Sequence, residues 1–227
     1  SRQLSEESLA LHRKLGNKQG ISNSLFTLAL GAFEQGDYVA ARRLSEESLA
    51  LDRELGDKSS IANSLMNLGI LARAQGDYVS ARSLYEECLA LKRGLGDEPG
   101  IANTLGNLGI LAFSQGDYIS ARSLLEECIA VLRALGSRQP IAECLEGLAY
   151  VCLGEEAVRQ AVVLLGAADG LRESIGAPLP PTEWEELDTK LAAARSALGE
   201  AAFDTAHQEG RAMSWKQAVE LALRESQ

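Results

Sequence analysis

The sequence has little of the chemistry that catalysis or metal binding requires. Its 227 residues include only two histidines, His12 and His207, which lie far apart in the chain. The four cysteines show no CxxC spacing, and none of the patterns GxxxxGKS/T, GxGxxG after a strand, HExxH or GxSxG occurs. We therefore expect no enzymatic activity, no bound metal and no cofactor.

Long apolar runs and an excess of positive charge are also missing. No stretch approaches ~18 uninterrupted apolar residues, and residues 1–6 do not resemble the start of a signal peptide. Acidic residues outnumber basic ones by 32 to 22, and the formal net charge of −10 repels a phosphate backbone. The sequence predicts a cytoplasmic protein that binds neither nucleic acid nor a membrane.

The sequence does contain an internal repeat. The tripeptide Gly-Asp-Tyr occurs at residues 36–38, 76–78 and 116–118, so the period is 40 residues. A fixed period of this size indicates stacked structural repeats rather than one closed globule. Cys88 and Cys128 lie one period apart, which favours equivalent thiols in a core over metal ligands or a disulfide.

Each repeat is predicted to be a pair of helices, which we name helix A and helix B. In the segment 61–96, Gly76 ends helix A because glycine readily takes the left-handed conformation at a helix C-terminus. Asp77 then caps helix B, and Gly96 ends it. Apolar residues fall at helical spacing in both helices. They are Leu65, Leu68 and Ala72 in helix A, and Tyr78, Ala81, Leu84, Tyr85, Cys88 and Leu89 in helix B.

The repeats also predict how the chain is organised. Residues 1–176 comprise a half repeat (a helix B without its helix A), three full repeats and one degenerate repeat, and residues 177–227 form a C-terminal helical cap. Starting halfway through a repeat exposes an apolar helix face, which predicts a fragment of a longer protein and allows self-association through the half repeat. The predicted fold class is all-α, an α-α superhelix with C-terminal capping helices.

The repeat resembles the tetratricopeptide repeat (TPR), whose signature is W-x2-L-G-x2-Y followed by a small residue and an aromatic one. The matching residues are Leu65, Leu68, Gly69, Ala72, Gly76, Tyr78, Ala81 and Tyr85. Two features depart from the signature: Leu replaces Trp, and the period exceeds the usual ~34 residues, as in repeats similar to those of kinesin light chains. The resemblance implies a TPR solenoid over residues 1–176, whose concave groove binds a protein or an extended peptide.

A second resemblance covers residues 157–223. This part is similar to the C-terminus of large bacterial regulators, which place a DNA-binding, kinase or cyclase effector and a STAND-type ATPase ahead of a TPR sensor array. The segments that carry it are 161–168 (AVVLLGAA), 175–181 (IGAPLPP), 198–203 (LGEAAF), 210–214 (GRAMS) and 217–219 (QAV). His207 departs from it, since an aromatic such as Trp is expected there. The resemblance implies an input domain that receives a ligand or partner and releases an autoinhibited ATPase upstream in the parent chain.

Variation between repeats predicts where a partner binds. Residues 62–83 and 102–123 are identical at 17 of 22 positions, and three of the five differences fall on one face of helix A, opposite its core stripe. Asparagines recur on this face, and amide groups can satisfy the backbone of an extended peptide. The predicted groove comprises Asn23, Phe26, Leu30, Phe33, Asn63, Met66, Asn67, Ile70, Arg73, Asn103, Asn107, Ile110 and Phe113. The alternative, that the asparagines are structural and bond the neighbouring repeat, remains open.

Helix B carries a recurring pair of acids with an arginine one turn earlier, which predicts weak surface ion pairs on a solvated face. These groups are Glu46-Glu47 with Arg42, Glu86-Glu87 with Arg82, and Glu126-Glu127 with Arg122. The position shared by His12, Asp52 and Lys92 is also predicted to be exposed. His207 is predicted to lie on a helix surface or at a helix end.

Three functions fit these patterns. The favoured one is the sensor or protein-interaction module of a bacterial STAND-type regulator. The second is a free-standing TPR scaffold that binds peptides constitutively. The third is a small-molecule sensor at the junction between the fourth repeat and the C-terminal helices, near Tyr150, Trp184 and Trp215.

Overall fold

The computed structural model describes residues 2–177 and 191–223, and no strand occurs among them. Helices A and B alternate along the chain as the repeat predicts, so the all-α fold class is confirmed. The helices are α1 (Arg2–Leu15), α2 (Lys18–Glu34), α3 (Tyr38–Leu55), α4 (Lys58–Ala74), α5 (Tyr78–Leu95), α6 (Glu98–Ser114), α7 (Tyr118–Leu135), α8 (Arg138–Gly154), α9 (Val158–Ile175), α10 (191–198), α11 (Glu200–Arg211) and α12 (Trp215–Leu223).

Backbone chemistry at the turns fixes where the helices begin and end. The side chain of Asp77 accepts a hydrogen bond from the backbone N–H of Ser80 at 3.1 Å and so caps α5. Gly96 ends the same helix with a left-handed φ of 67°, a conformation that a β-carbon disfavours. Because the same residue types recur every 40 residues, the local signals place these helix ends where the sequence predicts them.

The turn between α8 and α9 lacks this chemistry. Ala157 stands at the N-cap position of α9 and provides no side-chain hydrogen bond. Glu156 takes a φ of 62° at the position that Gly116 holds one repeat earlier, and it is the one non-glycine residue with positive φ in the described part of the chain. The degenerate repeat therefore keeps the helical hairpin but with a strained turn.

The chain divides into two compact units, residues 1–107 and residues 108–227. In the first unit, α2 contacts α1 and α3, and α4 contacts α3 and α5. In the second, α8 contacts α7 and α9, α9 contacts α11, and α12 contacts α7, α8 and α9. The division falls inside α6, so the helices after residue 177 share a unit with the last repeats; the predicted domain boundary at residue 176 stays a prediction.

Small polar or thiol side chains meet wherever a helix B lies against the following helix A. They form a series of pairs at 40-residue spacing: Ser8 with Ser24 (3.2 Å), Ser48 with Ser64 (3.5 Å), Cys88 with Thr104 (3.5 Å) and Cys128 with Cys144 (3.3 Å). Their small volume allows close packing of the helices. All four cysteines are free and buried, as expected for core thiols.

In the second unit, α9 and α11 touch through their backbones. A β-carbon built on Gly210 would stand 1.9 Å from the carbonyl oxygen of Val163, and one on Gly166 would stand 2.1 Å from that of His207. No side chain fits at either place, because real contacts of a β-carbon are never so short. Glycine is thus required for α11 to lie against the last helix of the repeats.

Candidate functional site

Three predicted asparagines lie on the exposed side of the first unit's A helices, which we name the helix-A surface. Asn23 on α2, Asn63 on α4 and Asn103 on α6 are all exposed. Their amides are partly engaged: Asn23 accepts a hydrogen bond from Gln19 at 3.2 Å, and Asn63 accepts one from the ammonium group of Lys92 at 2.8 Å. None of the three asparagines donates a hydrogen bond from its amide NH2 group in the described contacts, so this group can donate to a ligand.

The two asparagines one turn later are more enclosed. The amide nitrogen of Asn107 donates to the backbone carbonyl and the side-chain oxygen of Asn103, at 3.0 and 3.2 Å. Asn67 is half-buried, and its amide nitrogen is buried without a hydrogen-bond partner among the described residues. Asn107 thus holds the side chain of Asn103 in place, while Asn67 leaves a donor unsatisfied. Whether the asparagines face a ligand stays a prediction.

Apolar side chains lie beside the asparagines in the first unit. Leu30 is 41% exposed, and Phe26 and Ile70 are half-buried. The ring of Phe33 packs on that of Tyr38, with centroids 5.6 Å apart. An apolar side chain of a partner can therefore contact Leu30 directly, whereas Phe33 is partly occupied by an internal contact.

Two predicted residues, Ile110 and Phe113, belong to the second unit. Ile110 is 44% exposed. Phe113 is half-buried, and its ring lies 5.8 Å from that of Tyr118 and 6.3 Å from that of Tyr150. Ile110 is accordingly the more accessible of the two.

Positions 66 and 73 do not lie on a fully open face, which corrects the sequence-based expectation. Met66 is only 8% exposed, on a helix that has α3 on one side and α5 on the other. Arg73 is half-buried, with its Nε buried and unpaired among the described residues. Burial raises the pKa of the neighbouring Tyr85, and the guanidinium of Arg73 offsets part of that increase.

A pocket of about 260 Å³ opens beside three of the predicted residues, Asn23, Phe26 and Asn63. The rest of its wall was not predicted from the sequence. The remaining lining residues are Ser22, Thr27, Ser48, Asp52 and Ser60. The signal that was available is the 40-residue register of Asp52, since the chain places His12, Lys92, Leu132 and Arg172 at the equivalent positions. Asp52 therefore carries the opposite charge to Lys92 and Arg172 at the same place in the repeat.

The same register position is buried, contrary to the prediction that it is exposed. Asp52 is 1% exposed and Lys92 is 7% exposed. The ammonium group of Lys92 donates to Asn63 and to the carboxylate of Asp97, each at 2.8 Å. That hydrogen bond is the main reason why the pKa of Asp97 lies below its usual value. This position lies in the last turn of helix B on the side that the following helix A covers, whereas the residues after it, such as Arg53 and Leu55, are exposed.

Four of the six acids on helix B are exposed, as predicted for a solvated face: Glu46, Glu86, Glu87 and Glu127. The ion pairs differ from the prediction. Arg13 pairs with Glu47 at 2.6 Å and Arg53 with Glu87 at 3.0 Å, so these ion pairs join successive B helices rather than successive turns of one helix. Glu126 is 9% exposed, which is not a solvated face. Arginine is long enough to reach the next helix, and surface pairs within one helix are too weak to prevent it.

Two larger pockets flank α1. One, of about 660 Å³, is lined by parts of α1, α2 and α3, and the other, of about 490 Å³, by parts of α1 and α2. On the same helix, Leu4, Leu11 and Leu15 are 67%, 56% and 69% exposed. Self-association through this half repeat stays a prediction.

The C-terminal part places His207 differently from the prediction. His207 is half-buried, with its Nε2 2.9 Å from the carboxylate of Asp169 and its ring stacked on Phe203. It thus takes part in the packing of α11 on α9. Of the residues proposed for a small-molecule site, Trp184 lies outside the described residues, and Trp215 is half-buried beside the guanidinium of Arg138. That site stays a prediction.

The described residues contain neither a metal-binding cluster nor a membrane-spanning helix. No cluster of three or more His, Cys, Asp or Glu side chains is arranged there to hold a metal ion. None of the helices in that part of the chain combines the length and apolar character needed to cross a bilayer.

Comparisons with known proteins agree with the repeat architecture. The family model "Tetratricopeptide repeat" matches residues 22–94 and 60–134. The fold is similar to the crystal structure of BtubC (BKLC) from P. vanneervenii, with a TM-score of 0.73, 18% identity, and coverage of 99% of this chain and 90% of that one. It is also similar to two structures of a putative kinesin light chain from Podosopora anserina with nearly identical TPR-like repeats. These have TM-scores of 0.64 and 0.62 at 19% identity and cover 77% of this chain and 86% of theirs. Curated protein sequences gave no match.

Proposed function

We propose that this array of tetratricopeptide repeats is a protein-interaction module that binds an extended peptide on its helix-A surface. The observation that carries the proposal is the recurrence of exposed asparagines, Asn23, Asn63 and Asn103, one in each successive A helix of the first unit. Tetratricopeptide repeats generally bind protein partners. A solenoid offers an extended surface to such a partner rather than a closed catalytic pocket.

The chemistry of this surface suits a peptide backbone. An amide group both donates and accepts hydrogen bonds, as does each peptide unit of an extended chain. Asn107 holds Asn103 through two hydrogen bonds, so less rotamer freedom is lost when a ligand binds. The exposed Leu30 can contact an apolar side chain of the peptide. Ile110 and Phe113, in the second unit, are also proposed as binding residues because of their positions in the 40-residue repeat.

A display library of random peptides tests the proposal. Peptides selected on the protein should bind at least about tenfold more weakly to a variant with Asn23→Ala and Asn103→Ala. The reason is that the hydrogen bonds from these two side-chain amides to the ligand are lost. Ser83→Ala, an exposed change on α5, is the matched control and should leave affinity unchanged. Selection of no peptide, or of peptides that bind the double variant as well as the original protein, would contradict the proposal.

We further propose that the module is the input domain of a bacterial STAND-type signalling regulator and acts in the cytoplasm. The resemblance of residues 157–223 to the C-terminus of such regulators supports this. In that setting the peptide or partner protein would relieve the inhibition of an ATPase in the same chain. The gene sequence upstream of the codon for Ser1 is the direct test. A nucleotide-binding GxxxxGKS/T motif is expected there, and its absence would leave the free-standing scaffold as the function.

A further inference from the structure

The pocket beside Asn23 and Asn63 has a buried carboxylate in its wall. Asp52 is 1% exposed and accepts hydrogen bonds from the hydroxyl groups of Ser22 and of Ser64, the latter at 2.9 Å. No lysine, arginine or histidine of the described residues pairs with it, and its hydrogen bonds there come from these two serines. Burial of a carboxylate without a cationic partner is unfavourable, and a cation beside it offsets part of that cost.

Two later repeats place a compensated cation at the position equivalent to Asp52. One repeat later, Lys92 places an ammonium group between Asn63 and the carboxylate of Asp97, at 2.8 Å from each. In the fourth repeat, Arg172 makes two hydrogen bonds to Glu146, at 2.7 and 3.0 Å. In both cases a cation and an anion of the chain compensate each other. At Asp52 the chain provides the anion alone.

Two hydroxyl groups beside Asp52, those of Ser22 and Ser48, line the pocket with it. Ser22 donates its proton to the carboxylate, so its oxygen presents lone pairs. The oxygen of Ser48 lies 2.9 Å from that of Ser22, and both residues line the pocket. A hydroxyl that donates to an anion is polarised and becomes a better acceptor for a positively charged donor. The floor of the pocket therefore attracts a cationic group both through these oxygens and through the charge beneath them.

The size of the pocket fits the end of a side chain. Its volume of about 260 Å³ is below the ~300–1,000 Å³ of pockets that enclose whole drug-sized ligands. Nearby positive charge is already neutralised, because Lys92 pairs with Asp97 and Lys18 pairs with Glu54, each at 2.8 Å. An ammonium group is compact and has three donors, and the protein holds one in the equivalent place in the next repeat.

We propose that this pocket binds a primary ammonium group of the peptide, with Asp52 as the residue that specifies positive charge. The proposal rests on the peptide-binding function given above and adds its specificity. The ammonium group is supplied by a lysine side chain or by the N-terminus of the peptide, and both have the same hydrogen-bonding chemistry. Asn23, Asn63 and Phe26 contact the adjoining part of the peptide.

The test uses peptides selected from the random display library on the unaltered protein. We expect a lysine at a fixed position or a free N-terminus among them. Asp52→Asn should weaken their binding about tenfold or more, as expected for loss of a hydrogen bond to a charged group. Glu46→Gln removes the same charge from an exposed side chain on the same helix, outside the pocket, and should change affinity little. Norleucine in place of the lysine and acetylation of the N-terminus distinguish the two sources.

A double-mutant cycle decides the assignment. The loss caused by removing the ammonium group from the peptide should disappear in the Asp52→Asn protein, since the partner is already gone. Asp52→Leu, which copies Leu132 at the equivalent position, serves if the asparagine variant unfolds. Even if both Asp52 variants unfold, the peptide substitutions tested on the unaltered protein show whether the pocket binds the ammonium group. Selected peptides that bind equally well without their ammonium groups would overturn the cation subsite and leave the peptide-binding function intact, whereas failure to select any peptide would overturn both.

Discussion

The ring of Tyr85 occupies the space where a side chain on Gly69 would begin. A β-carbon built on Gly69 would stand 2.5 Å from Cε1 of this ring, and Tyr85 is fully buried. The A helix of the second repeat and its B helix therefore fit together as a large ring against bare backbone. In the third repeat the same two places hold Gly109 and Leu125, so the pairing of a glycine with a large side chain recurs.

Gly69→Ala should lower the free energy of unfolding by about 2 kcal/mol, because an added methyl in a filled core forces the buried ring to shift. Gly31→Ala is the matched control within another A helix, where a β-carbon meets nothing within 4 Å. It should raise stability by about 0.5–1 kcal/mol through helix propensity. Urea unfolding followed by circular dichroism measures both. Equal effects of the two substitutions would show that the Tyr85 ring yields without cost.

Glu156 provides a second prediction about stability. Its φ of 62° is unfavourable for a residue with a β-carbon, and glycine holds this place in the three preceding turns. Glu156→Gly should therefore raise the free energy of unfolding by about 1 kcal/mol. The reverse change one repeat earlier, Gly116→Ala, should lower it by a similar amount. A shift of the thermal midpoint in the same direction for both variants would contradict the explanation.

The pH dependence of stability follows from the caps. The hydroxyl and backbone N–H of Ser60 bond the carboxylate of Asp57 and hold its pKa below the ordinary value of 3.8. The folded protein then binds this proton less readily than the unfolded chain. The stabilisation is fully present above about pH 4 and is lost as the pH falls through the lowered folded pKa.

Unfolding measured between about pH 5 and pH 2 should show this loss. Ser60→Ala removes the strongest cause of the shift but keeps the carboxylate, so the loss of stability in acid should become smaller. Asp57→Asn removes the titrating group and should reduce it further. A steeper acid dependence in either variant would contradict the assignment.

The helix ends were predictable from the sequence, and the buried faces were not. Asp77 and Gly96 act on their own backbone, so their roles can be deduced from the residue type and the period. The burial of Met66 and Asp52 depends on how closely the next helix approaches, which the repeat pattern does not specify. Similarly, Arg53 pairs with Glu87 on the next B helix, a choice set by packing between repeats.

Asn67 allows the two interpretations of the asparagines to be separated. Its amide nitrogen is buried and unsatisfied among the described residues, and an unpaired buried donor costs about 1–3 kcal/mol. Asn67→Leu keeps the shape, so it should raise the free energy of unfolding by about 1 kcal/mol. If this amide serves a peptide, the same change should also weaken binding of library-selected peptides by about tenfold.

The opposite responses of stability and binding are the expected signature of a group retained for a ligand. Asn107→Leu is the comparison, since Asn107 already bonds Asn103 at 3.0 and 3.2 Å. This variant should lose binding without gaining stability, because it releases no unsatisfied donor. If Asn67→Leu lowers the free energy of unfolding while affinity stays unchanged, Asn67 makes a structural hydrogen bond. The asparagines would then belong to the packing of the repeats rather than to the recognition of a partner.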